Sequence, residues 1–199
     1  MTDETNTTQD DAGTQEPPAP QGPLDPPKIQ LVGSTPHDYD VAQVMEFLTA
    51  TFEHVPSGAH RLMYTPSLGH RGFSARTVAE LEKILTRTTA PRGLYFLTSS
   101  AYPDAHGKLS HGKAQFAALH VVVLDDIGSK IKHDDLPPLL QTPSYRIESS
   151  LGNYQYGYFL DKPITDYAHA ATLINTIMAA GYTDPGGAMP CKIVRLPGG

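Results

Sequence analysis

The sequence predicts an α/β domain in which a mixed or antiparallel sheet is flanked by helices. Three observations indicate this fold class: apolar residues at helical spacing after Asp40, a nearly continuous apolar run at Phe116–Leu124, and alternating polarity on both sides of residues 151–153. Such an apolar run is typical of a central strand that is covered on both faces. Its one polar residue, His120, is expected to be a hydrogen-bonded core residue and not a metal ligand.

Three helices are predicted, because three segments have a capping residue followed by apolar residues at helical spacing. Their expected spans are 40–52, 74–90 and 166–180. Either Thr165 or Asp166 caps the third helix, since both residue types accept hydrogen bonds from the free backbone N–H groups of a first turn.

Strands are predicted from apolar or alternating segments. Residues 145–150 and 154–160 alternate in polarity around a glycine turn, which indicates a β-hairpin. Residues 53–73 and 102–113 lack periodicity and are rich in Gly, His and basic residues, so we expect them to be mostly loop. The expected strands are 94–98, 116–124, 145–150, 154–160 and 192–196.

Residues 1–27 differ in composition from the rest of the 199-residue chain, because they contain six acids, six prolines and no Lys or Arg. Such a segment buries too little apolar surface to offset its ordering entropy, so we expect a disordered acidic tail. The other 15 acids equal the 15 basic residues in number, which leaves residues 28–199, the expected single domain, formally neutral. Any phosphate contact must then come from local basic groups such as the loop residue Lys113, which is otherwise a solvated surface residue.

The composition also excludes several classes of protein. No apolar run approaches the about 20 residues that a membrane span needs, and the first residues have no signal-peptide pattern, so we expect a cytoplasmic protein. Cys191 is the one cysteine, which excludes an internal disulfide and a cysteine-rich zinc cluster. The chain contains no Gly-x-x-x-x-Gly-Lys-Ser/Thr segment, which excludes an ATPase of the Walker type.

Two adjacent acids, Asp125 and Asp126, follow the apolar strand. Placing both there costs desolvation and repulsion unless a cation offsets them, and Mg²⁺ or Mn²⁺ prefers such oxygen ligands. Neighbouring residues of a regular strand point to opposite faces, so both acids cannot meet one ion from such a strand. Either the strand ends before Asp126 or one acid has another role. The alternative to a metal site is that both acids begin a loop.

Two further segments carry polar groups suited to a phosphate ligand. Ser149, Asn153 and Gln155 flank the glycine turn, whose N–H groups can hold an anion, although a plain hairpin with packed tyrosines is the alternative. Asp184 lies in a glycine-rich loop ahead of Arg195 at the end of the last strand. A metal ligand and an anion clamp would suit that pair, and a turn aspartate with a surface arginine is the alternative.

Taken in order, the three segments resemble one family. An apolar strand ending in Asp125-Asp126-x-Gly-x-Lys, a Ser-x-x-Gly-Asn-Tyr-Gln hairpin, and Asp184 ahead of Val-Arg-Leu-Pro-Gly resemble the archaeo-eukaryotic primase (primase-polymerase) superfamily. The match is best with the RepB-like primase domain of phage and plasmid replication proteins, and it covers about residues 90–199. The resemblance implies an RRM-like core that uses divalent metal to join nucleotides on a single-stranded DNA template.

The resemblance also implies roles for individual residues. Asp125, Asp126 and Asp184 match the acids that bind two Mg²⁺ or Mn²⁺ ions in the family, where the first two acids are separated by one residue. The family's second motif contains a His, and here Asn153 or Gln155 replaces it. The implied nucleotide contacts are Ser149, Asn153, Gln155 and Arg195, to which the basic loop residue Lys113 is added as a candidate.

The sequence therefore predicts a nucleotidyltransferase domain that makes primers in phage or plasmid replication. The implied partners are single-stranded DNA, nucleoside triphosphates and a replicative helicase, to which members of the family are often fused. Because the family continues with an Asn and further core after Gly199, we expect a C-terminally truncated domain. Two alternatives remain, a non-catalytic DNA-binding module for replication initiation and a metal-dependent nuclease that uses the same acids.

Overall fold

The computed structural model describes residues 39–65, 72–87, 93–187 and 189–197, so the tail predicted at 1–27 lies outside the described residues. The described part is α+β, with helices against antiparallel sheets, which confirms the predicted fold class. Its helices are α1 (Val41–Thr51), α2 (Val78–Leu85) and α3 (Tyr167–Ala179). Its strands are β1 (Arg61–Tyr64), β2 (Gly72–Ala75), β3 (Tyr95–Leu97), β4 (Ser99–Ala101), β5 (Phe116–Ile127), β6 (Tyr145–Ser150), β7 (Asn153–Ile164) and β8 (Ile193–Arg195).

The strands form two four-stranded sheets, with orders β4-β5-β7-β6 and β2-β1-β3-β8. Strand β5 lies inside the first sheet and is buried on both faces, as its apolar run predicts. Val121 and Val123 belong to a core shared with α1, α2 and the second sheet, whereas Val122 and Leu124 pack in the core that contains α3. The acidic end of β5 therefore lies at the margin of two packed cores.

Aromatic packing joins α1 to both sheets. The ring of Phe47 in α1 meets Phe96 of β3 edge-on at a centroid distance of 5.2 Å and Tyr145 of β6 at 4.9 Å. Such edge-to-face pairs add to the free energy gained from the buried area alone. This layer fixes the second sheet, and with it β8, relative to the strands that carry the candidate site.

The capping residues explain where the helices begin. Asp40 accepts hydrogen bonds from the N–H groups of residues 42 and 43, and Asp166, not Thr165, caps α3 by accepting from the N–H of residue 169 at 2.6 Å. Helix α2 begins at Val78, after the Thr77 cap, and not near Ser74, because β2 occupies residues 72–75. Its described last residue is Leu85, and residues 88–92 lie outside the described part.

Within residues 53–73 the structure has two strand segments that the sequence did not predict, although most of the described residues there lie outside strands. Strand β1 and the start of β2 lie there and pair with each other, and β1 also pairs with β3. The pattern was hidden because β1 has only four residues and contains the buried Arg61, whose guanidinium donates to the carbonyls of Phe52 and Arg76. Within the described part of the chain no helix has the length and apolarity needed to cross a membrane.

His120 in β5 is a hydrogen-bonded core residue, as expected. Its ring is 2% exposed, and a 2.9 Å hydrogen bond joins Nε2 to the Ser100 hydroxyl. Burial, with the positive charge of Arg61 as a smaller cause, lowers the pKa of His120 to about 4. The unfolded chain takes up this proton near pH 6.5 and the folded chain only near pH 4, so this residue makes the fold less stable as the pH falls between those values.

We expect His120 to lower the free energy of unfolding by about 3 kcal/mol between pH 7 and pH 4, since one pKa unit corresponds to about 1.4 kcal/mol. The variant His120→Gln cannot titrate there but can still bond Ser100, so this component should disappear. Urea titrations across this pH range would measure it, with His106→Gln in the exposed loop as the control. Equal pH dependence in the wild type and His120→Gln would contradict the assignment.

Candidate active site

The two adjacent acids lie on an irregular end of β5. The register between β5 and β7 shifts between Leu124 and Ile127, and Asp126 has a positive φ of 64°. Such a bulge re-aims a side chain, and aspartate is among the few residues that adopt this conformation readily. Strand β5 thus continues past Asp126 without regular alternation, so the strand does not end before this acid.

A tight turn after the acids brings Lys130 back to them. The carbonyl of Asp126 accepts hydrogen bonds from the N–H groups of Lys130 and Ile131, each at 3.1 Å. Gly128 allows this turn, because its φ is +89° and a Cβ there would lie 2.5 Å from the carbonyl oxygen of Gly152. The turn is therefore packed directly against the tip of the β6–β7 hairpin.

Lys130 joins two of the three predicted acids. Its Nζ lies 2.6 Å from Oδ2 of Asp126 and 2.9 Å from Oδ1 of Asp184. Because both distances end at one nitrogen, these two carboxylates, from β5 and from the loop ahead of β8, are close neighbours. Asp184 is further fixed by the N–H of Gly186, which donates to Oδ2 at 3.0 Å.

The third acid, Asp125, is paired separately. Its Oδ2 accepts from Nζ of Lys192 at 3.1 Å and from Nε2 of Gln155 at 3.2 Å. Its backbone N–H donates to the hydroxyl of Thr183 at 3.0 Å, which ties β5 to the loop that carries Asp184. All three predicted acids therefore lie in one region. Asp126 and Asp184 share Lys130 as a partner, whereas Asp125 pairs with Lys192.

Hydrogen bonds in this region stabilise the charged forms of Lys130 and Asp184. Hydrogen bonds to Asp126 and then to Asp184 hold the pKa of the Lys130 ammonium above its usual value, although the side chain is exposed. The Lys130 hydrogen bond, followed by that of the Gly186 N–H, lowers the pKa of Asp184. In formal charge, three acidic side chains face two lysines here, so a polyanion would need further positive charge to bind.

The hairpin residues support the acids. Asn153 donates from Nδ2 to Asp126 Oδ1 at 3.1 Å and accepts at Oδ1 from the Ser129 hydroxyl at 2.8 Å. Gln155 holds Asp125 as described, while its own Oε1 is buried without a hydrogen-bond partner among the described residues. Ser149 donates to the backbone carbonyl of Asn153 at 3.1 Å, so it orders the hairpin itself.

Two of the predicted nucleotide contacts, Arg195 and Lys113, pack against aromatic rings. The guanidinium of Arg195 in β8 lies 5.7 Å from the ring centroid of Tyr95, which is its cross-strand neighbour in β3. Lys113 precedes the opposite end of β5, with Nζ 5.2 Å from the ring centroid of Tyr167. At about 3.3 Å per residue, the strand places Phe116, three residues after Lys113, about 30 Å from Asp125.

Four residues whose side chains contact the acids were missing from the predicted site, namely Ser129, Lys130, Thr183 and Lys192. Lys130 stands in the Asp-Asp-x-Gly-x-Lys motif, so its spacing offered a signal. Lys192 and Thr183 offered none, because their contacts with Asp125 depend on how the loop ahead of β8 packs against β5.

The donor set fits a divalent cation bound together with a phosphate ligand. Among the described residues, no group of three or more His, Cys, Asp or Glu side chains is placed to hold a metal ion. Mg²⁺, however, is usually held by one or two carboxylates plus water and substrate phosphates. Asp126 and Asp184 supply two carboxylates around one cationic nitrogen, which is the kind of pair that this mode of binding requires.

No family model and no curated protein sequence matches the chain. Among solved structures, it is similar to the AEP domain of the cyanophage S-2L primase-polymerase, with 14% identity, coverage of 79% of this chain and 82% of that chain, and a TM-score of 0.47. It is also similar to the catalytic domain of primase RepB′ in complex with initiator DNA (16%, 78% and 75%, 0.47) and to primase RepB′ (12%, 77% and 49%, 0.46). All three are primases or primase-polymerases.

Proposed function

We propose that this chain is a DNA primase-polymerase domain that joins nucleotides on a single-stranded DNA template in a metal-dependent reaction. The observation that carries the proposal is the convergence of Asp126 and Asp184, from distant parts of the chain, on the single ammonium of Lys130. We place the reaction in primer synthesis for phage or plasmid replication in the bacterial cytoplasm. A replicative helicase is the expected protein partner.

Each acid has a distinct part in the proposed reaction. Asp126 and Asp184 would hold a divalent cation, Mg²⁺ or Mn²⁺, and we assign Asp125, whose carboxylate accepts from Lys192 and Gln155, as the third acid of a two-metal site. When bound, such a pair of ions lowers the pKa of the attacking hydroxyl and supports the pyrophosphate leaving group.

The remaining residues bind and orient the nucleotide and the template. Asn153 holds the Asp126 carboxylate in one orientation, and the two lysines neutralise phosphate charge. Ser149, Asn153, Gln155 and Arg195 are proposed contacts of the nucleotide, with Lys113 a more distant candidate for the template path. Tyr154, which stacks under the Arg146 guanidinium at 4.9 Å, offers an aromatic surface for a template base.

A primer-extension assay tests the proposal. The protein is incubated with single-stranded DNA, labelled nucleoside triphosphates of both sugar types, and Mg²⁺ or Mn²⁺. We expect labelled products that depend on metal and template and that disappear with EDTA and in the Asp125→Ala, Asp126→Ala double variant. Incorporation that persists in the double variant would refute the catalytic assignment.

Two further arms of the experiment separate the alternatives. A nuclease would shorten end-labelled DNA with metal and no nucleotides. A non-catalytic DNA-binding module would give no metal-dependent heat when titrated with a nucleoside triphosphate in a calorimeter, although it would still bind DNA. Either of these results, in place of extended products, would overturn the proposed polymerisation.

A further inference from the structure

Lys130 is fixed at its backbone and exposed at its tip. Its N–H donates to the Asp126 carbonyl in the turn that Gly128 closes, so the start of the side chain is held beside the acids. Its side chain is nevertheless 65% exposed, compared with 18% for Asp126 and 30% for Asp184. Because most of the Lys130 side chain lies in solvent, its ammonium can move to solvent or to a bound ligand without disturbing the packing of its own side chain.

The second lysine of the site contrasts with this arrangement. The side chain of Lys192 is only 14% exposed, and its ammonium contacts Asp125, which Gln155 also holds. Moving Lys192 would disrupt the packing of its own largely buried side chain as well as its ion pair with Asp125, which is costly. Of the two ammonium groups, the one on Lys130 is thus the one that an incoming ligand can displace.

An ammonium and a divalent cation cannot occupy this position together. The Lys130 nitrogen contacts the same two oxygens, one on Asp126 and one on Asp184, that a divalent ion would take as ligands. Such an ion lies about 2.1 Å from its carboxylate oxygens, so the two positive charges would be in direct repulsion. Metal entry therefore requires that the ammonium move away, and a triphosphate arriving with the metal offers it a new anionic partner.

We propose that Lys130 is the resident cation of the Asp126–Asp184 pair, that it competes with divalent metal when no nucleotide is bound, and that its ammonium passes to the triphosphate when metal and nucleotide bind together. This inference rests on the proposed function, because it requires these two carboxylates to bind metal. Its consequence is coupling: the nucleotide strengthens metal binding beyond the contacts of its own phosphates, and by linkage the metal strengthens nucleotide binding equally.

Titration of the full chain with Mn²⁺ alone, followed through the electron paramagnetic resonance signal of the free ion, tests the competition without any measurement of activity. We expect Lys130→Met to bind Mn²⁺ about three- to tenfold more tightly than the wild type, since the ion no longer has to displace an ammonium from its ion pairs with Asp126 and Asp184. Lys130→Arg keeps the competing charge and should bind Mn²⁺ like the wild type. Lys132→Met makes the same change of net charge at an exposed lysine two residues away. It is the control for the effect of net charge alone on Mn²⁺ affinity.

A second titration measures the coupling. It is repeated with a nucleoside triphosphate analogue that has a methylene group between the α- and β-phosphates and cannot react. The analogue should strengthen Mn²⁺ binding in the wild type by a larger factor than in Lys130→Met. An Mn²⁺ affinity of Lys130→Met equal to that of Lys132→Met, or equal enhancement by the analogue in all variants, would overturn the inference.

Asp184→Asn separates failure of the inference from failure of the proposed function. If the wild type binds Mn²⁺ and Asp184→Asn does not, the metal site stands, and the Lys130 variants decide the inference alone. If the wild type and Lys130→Met bind no Mn²⁺ even with the analogue, or if Asp184→Asn leaves binding unchanged, the metal site is absent from these acids. That result would overturn the inference together with the proposed function.

Discussion

Asp184→Asn is expected to lower the rate of nucleotide incorporation at least about a hundredfold, the scale of effect produced by loss of a charged group that stabilises a transition state. The asparagine keeps the size of the side chain and an oxygen that can accept from the Gly186 N–H, so the loop keeps its shape. What it loses is the negative charge that now faces Lys130. Thermal stability should change little, because the ion pair is exposed and such pairs contribute little to folding.

The comparison needs a second aspartate that lies outside the site. Asp134 is exposed in the 3₁₀ turn at His133–Asp135, so Asp134→Asn makes the same chemical change at a position without a proposed role. Steady-state incorporation and thermal unfolding would be measured for the wild type and both variants. Activity within a few-fold of the wild type in Asp184→Asn would remove this acid from the proposed machinery, whatever the control does.

The parts of the fold that were predictable have strong local signals. Strand β5 contains a run of nine residues that are all apolar except His120. The caps at Asp40 and Asp166 precede apolar residues at clear helical spacing. Strands β1 and β4 have four and three residues and no local pattern. They form because β3 lies beside β1 and β5 lies beside β4. Short strands defined by distant partners are set by tertiary packing, which one sequence does not reveal.

The candidate site also has a predictable part and a part that depends on tertiary packing. The acids were predictable, because carboxylates after a buried strand and in a glycine loop are costly unless a cation offsets them. The side chains that pair with them were not. The contact of Lys192 with Asp125 depends on how the second sheet packs against the first, and the bulge at Asp126 has no signature in the residue types around it.

Gly157→Ala is expected to cause a large loss of stability, although it adds only one methyl group to the sheet. Gly157 lies in β7 opposite Tyr145 of β6 and Val123 of β5. A Cβ at this position would lie 2.0 Å from two ring atoms of Tyr145. That ring is itself packed edge-on against Phe47 at 4.9 Å and at a tilt against Phe159 at 5.6 Å, so these two rings restrict its movement.

Two effects of the substitution oppose each other, and their sizes decide the sign. Strand propensity alone favours alanine over glycine by about 0.5–1 kcal/mol. Overpacking a filled core typically costs about 1–3 kcal/mol, and a contact as short as 2.0 Å to a buried ring belongs at or above the upper end of that range. We therefore expect a net loss of about 2 kcal/mol or more, measured as a lower urea midpoint at unchanged slope.

The control and the compensating change identify the cause. Gly112→Ala adds the same methyl group where the nearest atom is 3.6 Å away, so it should leave the urea midpoint nearly unchanged. Combining Gly157→Ala with Tyr145→Leu removes the ring that the new methyl group meets, so the double variant should be more stable than the sum of the single changes implies. If the two changes were simply additive, the ring would not be the source of the cost. If Gly157→Ala raised the midpoint, strand propensity would outweigh packing at this position, and the close approach of β7 to Tyr145 would not constrain the sheet.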